Sequence, residues 1–107
     1  TPVNDPPAAV ADAASTPEEA AVIVPVLAND SDPDGDALTV AAAGPAANGV
    51  VISDGVTVTY TPNPNFFGAD GFSYTISDGN GGTATAQVTI TVLESVSILY
   101  LPIISKR

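Results

Sequence analysis

The sequence contains no cysteine, histidine, methionine or tryptophan, and only two of its 107 residues are basic. Without cysteine there are no disulfides, thiolate nucleophiles or thiolate metal sites, and without histidine the commonest neutral-pH base and zinc ligand is missing. The 12 acidic residues give a formal net charge of −10, which repels phosphate backbones and anionic lipid headgroups. The composition therefore argues against redox, zinc and catalytic-triad chemistry and against nucleic-acid binding.

The chain has the length of one small domain. Hydrophobic residues make up 45 % of it and the mean hydropathy is +0.30, which argues against disorder despite the charge. The apolar run at 96–104 is too short to span a bilayer, which takes about 20 residues, so we expect no membrane span. No signal-like segment opens the chain, and we expect any secretion signal to lie outside it.

Alternation of apolar and polar residues, the pattern of half-buried strands, dominates the sequence. The predicted strands cover residues 56–61, 72–77 and 84–92 and, with weaker patterns, residues 8–13, 20–27, 37–42 and 49–53. About seven short strands separated by turns predict an all-β fold, an antiparallel Greek-key β-sandwich. Three prolines predict a stiff linker over residues 1–7, followed by the sandwich over 8–93 and a tail over 94–107.

Two local patterns predict specific turns. Asp54-Gly55 predicts a two-residue hairpin between strands that end at Ser53 and begin at Val56. Residues 16–19, Thr-Pro-Glu-Glu, have the arrangement of a capping box, which would start a helix. The β-branched residues and Pro25 that follow limit such a helix to about one turn.

The most distinctive feature is the acidic segment, residues 29–36 (NDSDPDGD), which holds four of the 12 acidic residues: Asp30, Asp32, Asp34 and Asp36. Carboxylates about 6 Å apart repel one another by roughly 1 to 3 kcal/mol per pair, and a hard cation would reverse that sign. Ca²⁺ takes six to eight oxygen ligands of the kinds found here.

The acidic segment has two other interpretations. Its spacing matches the first half of an EF-hand loop, but position 12 of such a loop would be Ala41 instead of glutamate, which argues against an EF-hand. Asp-Pro-Asp-Gly is also typical of a solvated turn that binds no metal. Spacing alone leaves both the calcium site and the plain turn open.

The predicted topology brings further candidate ligands to this segment. In an Ig-like sandwich the loop between the second and third strands shares an end with the loop between the last two. Asp78 lies in that last loop, and the linker with Asn4 and Asp5 would enter nearby. Three separate segments could then converge on one cation.

Three stretches together resemble a repeat of the bacterial Ig-like, cadherin-like domains that occur in tandem in large surface and secreted proteins. They are VNDPP, VLANDSDPDGDALTV and VTYTPNPNFFGADGFSYTISDGNGGTATAQVTITV, and the resemblance covers about residues 3–93. It implies a Greek-key sandwich, an extracellular or cell-surface location, and an adhesive or spacer role with adjacent repeats of the same polypeptide as partners.

By analogy with cadherin repeats, the resemblance implies a calcium site shared with the preceding repeat. Its ligands would be Asp32 and Asp34 as the Asp-x-Asp pair, Asp78 from the later loop, and Asn4 and Asp5 from the linker. Glu18 resembles the acidic residue that serves the opposite interface in such repeats. No second linker motif follows Val92, so Glu18 is expected to be an ordinary surface acid.

The resulting hypothesis is a non-enzymatic repeat in which Ca²⁺ stiffens the junction to the preceding repeat. The alternative is a carbohydrate- or protein-binding sandwich without a metal role. The aromatic residues could form a sugar-stacking patch, but their alternating positions favour the core. Asp54 and Asp70 could form a glycosidase pair, although no His, Arg or Trp lies nearby to tune them.

The tail, SVSILYLPIISKR, carries the two basic residues behind an apolar run. That charge order resembles the end of a bacterial sorting signal. The simpler interpretation is an extra edge strand or a frayed terminus.

Overall fold

The computed structural model describes residues 3–94, which fold into two β-sheets packed face to face. The seven strands are β1 (Asp12–Pro17), β2 (Val22–Val24), β3 (Thr39–Ala43), β4 (Gly49–Ser53), β5 (Val58–Pro62), β6 (Gly68–Ser77) and β7 (Thr83–Leu93). One sheet has the order β1-β7-β6-β3 and the other β2-β5-β4. The chain passes between the sheets four times, so the predicted all-β Greek-key sandwich is confirmed.

The core lies between the sheets and consists of the inward-facing residues of the alternating strands. Its buried members are Val24, Val26, Val40, Val58, Tyr60, Phe72, Tyr74, Ile76, Val88, Ile90 and Val92. The rings of Tyr60 and Phe72 stack with centroids 6.3 Å apart, which joins the two sheets. Core packing of these aromatics is therefore confirmed, whereas Phe67 is 51 % exposed.

One strand pair is parallel instead of antiparallel. β1 pairs with β7 from Asp12 opposite Val88 to Pro17 opposite Leu93. Alternation in a sequence indicates which face of a strand is buried but carries no information about its partner. The first strand also begins later than the predicted 8–13 because Ala8 instead forms an isolated bridge with Ser31.

The predicted strand over 20–27 is shorter in the structure. β2 ends at Val24 because Pro25 has no N–H to continue the ladder, and Val26–Asn29 form a 3-10 turn. The capping-box helix is also absent from this part of the described chain. The Thr16 hydroxyl donates to the carbonyl of Ala20 at 2.9 Å instead of capping a helix.

The β4–β5 hairpin is shifted by one residue from its prediction. Ser53 pairs with Val58, so Gly55 and Val56 occupy the centre of the turn, and Gly55 has a φ of 95°. Asp54 precedes them, and its carboxylate accepts hydrogen bonds from the N–H groups of Val56 and Thr57. Glycine at the first central position is typical of a primed turn.

The predicted tail over 94–107 lies outside the described residues except for Glu94. Within residues 3–94 no helix has the length and apolar character needed to cross a bilayer.

Candidate metal centre

Three segments meet at one end of the sandwich, which we call the linker end. The acidic segment leads into β3, and the loop over residues 78–82 follows β6 at the same height because Thr39 pairs with Ser77. Ala8, the first residue after the linker, joins them because its N–H donates to the Ser31 carbonyl at 2.7 Å. The Ser31 N–H donates back to the Ala8 carbonyl at 3.1 Å, so the end of the linker is fixed to the folded unit.

The acidic segment folds back so that Asp32, Asp34 and Asp36, the aspartate cluster, each offer a carboxylate oxygen within 4.8 Å of the others. The turn that does this is local, since Asp32 Oδ2 accepts the N–H groups of Asp34 at 3.0 Å and Asp36 at 3.1 Å. Gly35, with a φ of 74°, supplies the left-handed residue that the turn requires.

One oxygen of the aspartate cluster has no hydrogen-bond partner. Asp32 Oδ1 is buried and unpaired among residues 3–94, although its sister oxygen accepts two bonds. Leaving a buried carboxylate oxygen unpaired costs free energy. Three carboxylates with one orphaned oxygen form a donor set that fits a hard, oxygen-seeking cation such as Ca²⁺.

The linker is hydrogen-bonded to both acidic regions. The Asp5 N–H donates to Asp34 Oδ2 at 2.8 Å. The Asn4 side chain donates to Asp78 Oδ2 at 2.8 Å and, more weakly, to the Asn80 carbonyl at 3.4 Å. A surface depression at this point is lined by Val3, Asn4, Asp34, Asp36 and Asn80. The predicted convergence of three segments is thus present in the fold.

Asp78 organises the 78–82 loop and is only 3 % exposed. Its Oδ1 accepts the N–H groups of Asn80 at 2.8 Å and Gly82 at 2.9 Å. The hydrogen bond from Asn4, followed by the backbone bonds, lowers the pKa of Asp78 below its usual value. The Asp78 carboxylate therefore fixes both the 78–82 loop and the linker through hydrogen bonds.

Gly82 is a site residue that the sequence did not single out. A β-carbon at this position would meet the Asp78 carboxylate and would lie 3.0 Å from the Cα of Pro6 in the linker. Only glycine lets the linker lie this close to the loop. In sequence, Gly82 is one of several glycines of an ordinary turn, so no local signal distinguishes it.

Asp30 is not brought into the aspartate cluster. Its Oδ1 accepts the Val10 N–H and its Oδ2 accepts the Tyr74 hydroxyl, both at 2.8 Å. Burial raises the pKa of the Tyr74 hydroxyl, and its hydrogen bond to Asp30 raises that pKa further. Among the seven candidate ligands, Asp30 therefore anchors the linker end to the core, whereas Asp32, Asp34 and Asp36 form the cluster. Two of the others lie in the linker: Asn4 donates from its side chain to Asp78, the seventh, and Asp5 donates from its backbone N–H to Asp34.

Asp12 lies beside the same phenol. The Tyr74 hydroxyl makes its shortest hydrogen bond to Asp30, at 2.8 Å, and Asp12 Oδ2 is buried without a partner within residues 3–94. Burial raises the pKa of Asp12, the neighbouring Tyr74 and Asn29 side chains lower it in part, and the Asp30 charge adds to the increase.

The other acidic candidates lie elsewhere. Glu18 follows β1 at the opposite end of the sandwich, where its N–H donates to the Leu93 carbonyl. Asp70 accepts the Tyr60 hydroxyl at 2.7 Å and the Asn48 N–H at 3.0 Å, next to the start of β4. Asp54 follows the other end of β4, about 17 Å along the strand from the end that Asp70 contacts. A glycosidase pair needs a separation below roughly 10 Å, so these two carboxyl groups do not form one.

Comparison with known proteins gives a family match over most of the chain. A family model described as a bacterial Ig domain matches residues 4–91. Protein GAMETE EXPRESSED 2 of Arabidopsis thaliana is 50 % identical over 46 residues, which are 43 % of this chain and 5 % of that protein.

Solved structures share the fold at low sequence identity. A nucleoside hydrolase-related hypothetical protein from Saccharophagus degradans, associated with carbohydrate metabolism, matches 83 % of this chain and 26 % of its own, with 20 % identity and a TM-score of 0.56. The endo-fucoidan hydrolase MfFcnA4 of glycoside hydrolase family 107 matches 89 % of this chain and 14 % of its own, with 19 % identity and a TM-score of 0.56. The chain spans about a quarter or less of the length of each of these three proteins.

Proposed function

The chain belongs to the bacterial Ig domain family, and on that premise we propose that it is a non-enzymatic, calcium-binding repeat of a bacterial surface or secreted protein. Bacterial Ig domains occur in such proteins as repeat modules. In this proposal Ca²⁺ binds at the aspartate cluster and stiffens the junction between the linker and the sandwich. The observation that carries the proposal is the buried, unpaired Asp32 Oδ1 beside the carboxylates of Asp34 and Asp36.

The charge balance supports a cation from solution. Carboxylates within 4.8 Å of one another repel by roughly 1 to 3 kcal/mol per pair. Residues 3–94 contain no lysine, arginine or histidine, because the two basic residues are Lys106 and Arg107. The described part of the chain therefore supplies no cationic side chain to offset this repulsion.

The hydrogen bonds of the linker couple the cluster to the junction. Asp34 belongs to the cluster and also accepts the Asp5 N–H, so the position of its side chain determines where the linker lies. A bound Ca²⁺ would cancel the charge of the cluster. Asp34 and Asp36 would then remain close together, and the Asp5 and Asn4 contacts would hold the linker against the sandwich.

The proposal that the domain is not an enzyme is supported by the hydrogen bonds that its other acidic residues accept. The two oxygens of Asp70 accept bonds from Tyr60, Asn48 and its neighbour Gly71, so this carboxylate is committed to the framework. Asp54 likewise accepts the N–H groups of its own turn.

Thermal unfolding in chelator and then in millimolar Ca²⁺, with Mg²⁺ at matched ionic strength, tests the proposal. At 100 times the dissociation constant, one site adds about 2.7 kcal/mol, which shifts the midpoint of a domain this size by on the order of 10 °C. Asp32→Asn should abolish the calcium-selective shift. Absence of that shift in the native sequence would contradict the proposal.

Asp54→Asn is the matched control for Asp32→Asn. Both carboxylates accept two backbone N–H groups in a turn at the same end of the sandwich, and both variants remove one negative charge. Asp54 is not part of the aspartate cluster. Its variant should therefore keep the calcium shift, and equal loss in both variants would indicate a general charge effect.

A second candidate function is binding of a protein or glycan without a metal. It is favoured by exposed apolar residues on the outer face of the β2-β5-β4 sheet, where Ile23 is 65 % and Ile52 64 % exposed. Both lie opposite Thr59, which places them in one row. Binding to a glycan array or surface protein that survives chelation and is lost in Ile23→Thr/Ile52→Thr would favour this function.

A further inference from the structure

The sequence contains two Asn-Gly pairs, Asn48-Gly49 and Asn80-Gly81, in different surroundings. In such a pair the glycine backbone nitrogen can attack the asparagine side-chain carbonyl carbon. A C–N bond forms and the bond to the side-chain amide nitrogen breaks, and that nitrogen leaves as ammonia with the proton from the glycine N–H. Water then opens the resulting cyclic imide to aspartate or isoaspartate. Glycine permits this attack because it has no β-carbon to obstruct it.

Asn80 has the surroundings that this reaction needs. It is exposed in the 78–82 loop, and its side-chain amide makes no hydrogen bond within residues 3–94. In the same part of the chain the Gly81 N–H donates to no acceptor, and a β-carbon at Gly81 would meet nothing within 4 Å. The backbone of Asn80 is also bonded, since its N–H donates to Asp78 Oδ1 at 2.8 Å and its carbonyl accepts the Asn4 amide at 3.4 Å. The two groups that react, the Gly81 N–H and the Asn80 side-chain amide, have no hydrogen-bond partner within residues 3–94, so the difference from Asn48 lies in the space around the glycine.

Asn48 has the same sequence context but is held in place. Its N–H donates to Asp70 Oδ2 at 3.0 Å, and its carbonyl accepts the Asn63 N–H at 2.8 Å. Gly49 opens β4 and lies against Tyr60, where a β-carbon would come within 2.5 Å of the ring. The backbone around Asn48 cannot easily turn into the cyclic geometry.

We propose that Asn80 is a site of spontaneous deamidation that adds a carboxylate to the depression at the linker end. Asn80 lines this depression together with Asp34 and Asp36, so its conversion places a further negative charge beside the aspartate cluster. Ageing of the protein then changes the charge of this site without an enzyme. The consequence for calcium affinity rests on the proposed function, whereas the modification itself does not.

The modification is tested by incubating the full native chain at mildly alkaline pH, followed by peptide mapping of the small mass gain that accompanies replacement of –NH₂ by –OH. Conversion at Asn80 should be several-fold faster than at Asn48. In concentrated guanidinium chloride the two rates should become similar, because the structural difference is removed. Equal rates in the folded protein, or faster conversion at Asn48, would overturn the proposal. Asn80→Gln should abolish the signal from the loop and confirm its assignment.

Calcium titration of Asn80→Asp and the native chain tests the consequence. An added carboxylate about 6 Å from a divalent ion corresponds to on the order of tenfold tighter binding at water-like dielectric. Calcium binding by both proteins with equal affinity would overturn the link between Asn80 and the site. Calcium binding by neither would instead overturn the proposed function and leave the mass measurement to decide the modification.

Discussion

The side-chain amide of Asn4 donates a 2.8 Å hydrogen bond to Asp78 Oδ2, joining two residues that are 74 positions apart in the sequence. This contact ties the linker to the loop between the last two strands. It also keeps Asp78 ionised, because the bond favours the charged form of the carboxylate and lowers its pKa. The linker thus contributes to the stability of the domain, and that contribution depends on pH.

Asn4→Ala should lower the thermal midpoint at neutral pH. The pKa of Asp78 in the folded state lies below its ordinary value of 3.8, so its stabilising effect is full above that value and is lost as the pH falls through the folded pKa. The native and variant curves should therefore converge at low pH. Asn63→Ala, in the β5–β6 loop, serves as control, and a difference that does not diminish as the pH falls below 3.8 would contradict this account.

Asp12→Asn should stabilise the protein at neutral pH by on the order of 1 kcal/mol. Burial raises the folded-state pKa of Asp12 above 3.8, so its charged form penalises folding at neutral pH and the penalty disappears as the pH falls through that pKa. An amide can donate to the surrounding acceptors. Denaturant titrations across the pH range measure the gain.

The control for Asp12→Asn is Asp54→Asn, whose expected effect on stability has the opposite sign. The backbone hydrogen bond from Thr57, and then that from Val56, lower the pKa of Asp54, so Asp54→Asn should destabilise the protein at neutral pH. Stabilisation by both variants would show that reduced net charge, and not the burial of Asp12, is responsible.

Tyr60→Phe should cost about 1 to 3 kcal/mol of unfolding free energy at neutral pH. The ring remains stacked on Phe72, but Asp70 loses its 2.7 Å hydrogen bond from the hydroxyl. Burial raises the pKa of Asp70, and the hydrogen bonds from Tyr60, Gly71 and Asn48 outweigh that effect and lower it. Below pH 4, the free energy of unfolding of the variant should therefore depend less on pH than that of the native chain. Chemical denaturation at several pH values measures this dependence, and an unchanged pH profile would argue against this bond.

Gly82→Ala should weaken the calcium response because the added methyl group would push Asp78 and Pro6 apart and displace the linker. Gly49→Ala is the matched control, since its methyl group would also clash, with the Tyr60 ring and the Thr61 carbonyl, at the other end of the sandwich. Each should cost about 1 to 3 kcal/mol. Only Gly82→Ala should reduce the thermal shift in calcium, and an equal shift in the two variants would contradict a role for the linker contact.

Sequence patterns were sufficient for the parts of the fold that depend on local periodicity. β4 matches its prediction residue for residue, and β6 and β7 contain theirs, because inward and outward residues alternate without interruption. The end of β2 at Val24 follows from Pro25, a local signal, whereas the parallel partner of β1 depends on contacts with a strand distant in the sequence. Such contacts leave no periodic trace in the sequence.

The candidate site was predictable in outline for a similar reason. The density of aspartates marks the acidic segment, and the sandwich topology brings Asp78 and the linker to it. The orientation of each carboxylate was not predictable. Asp30 faces Tyr74 and Asp32 faces the cluster although they are two residues apart, because the 3-10 turn over Val26–Asn29 and the bridge at Ser31 set the direction of the chain between them.

The parallel pairing of the first and last strands also determines how the domain bears mechanical load. β1 begins at the linker end and β7 ends at the opposite end, and the two strands lie side by side over six register positions. Tension along the polypeptide pulls β1 toward the linker and β7 away from it, parallel to the strand axes. The ladder is therefore loaded in shear, and its hydrogen bonds must yield together instead of opening one by one from an end. The resistance of the domain to such a pull would therefore depend on the contact between β1 and β7, its first and last strands.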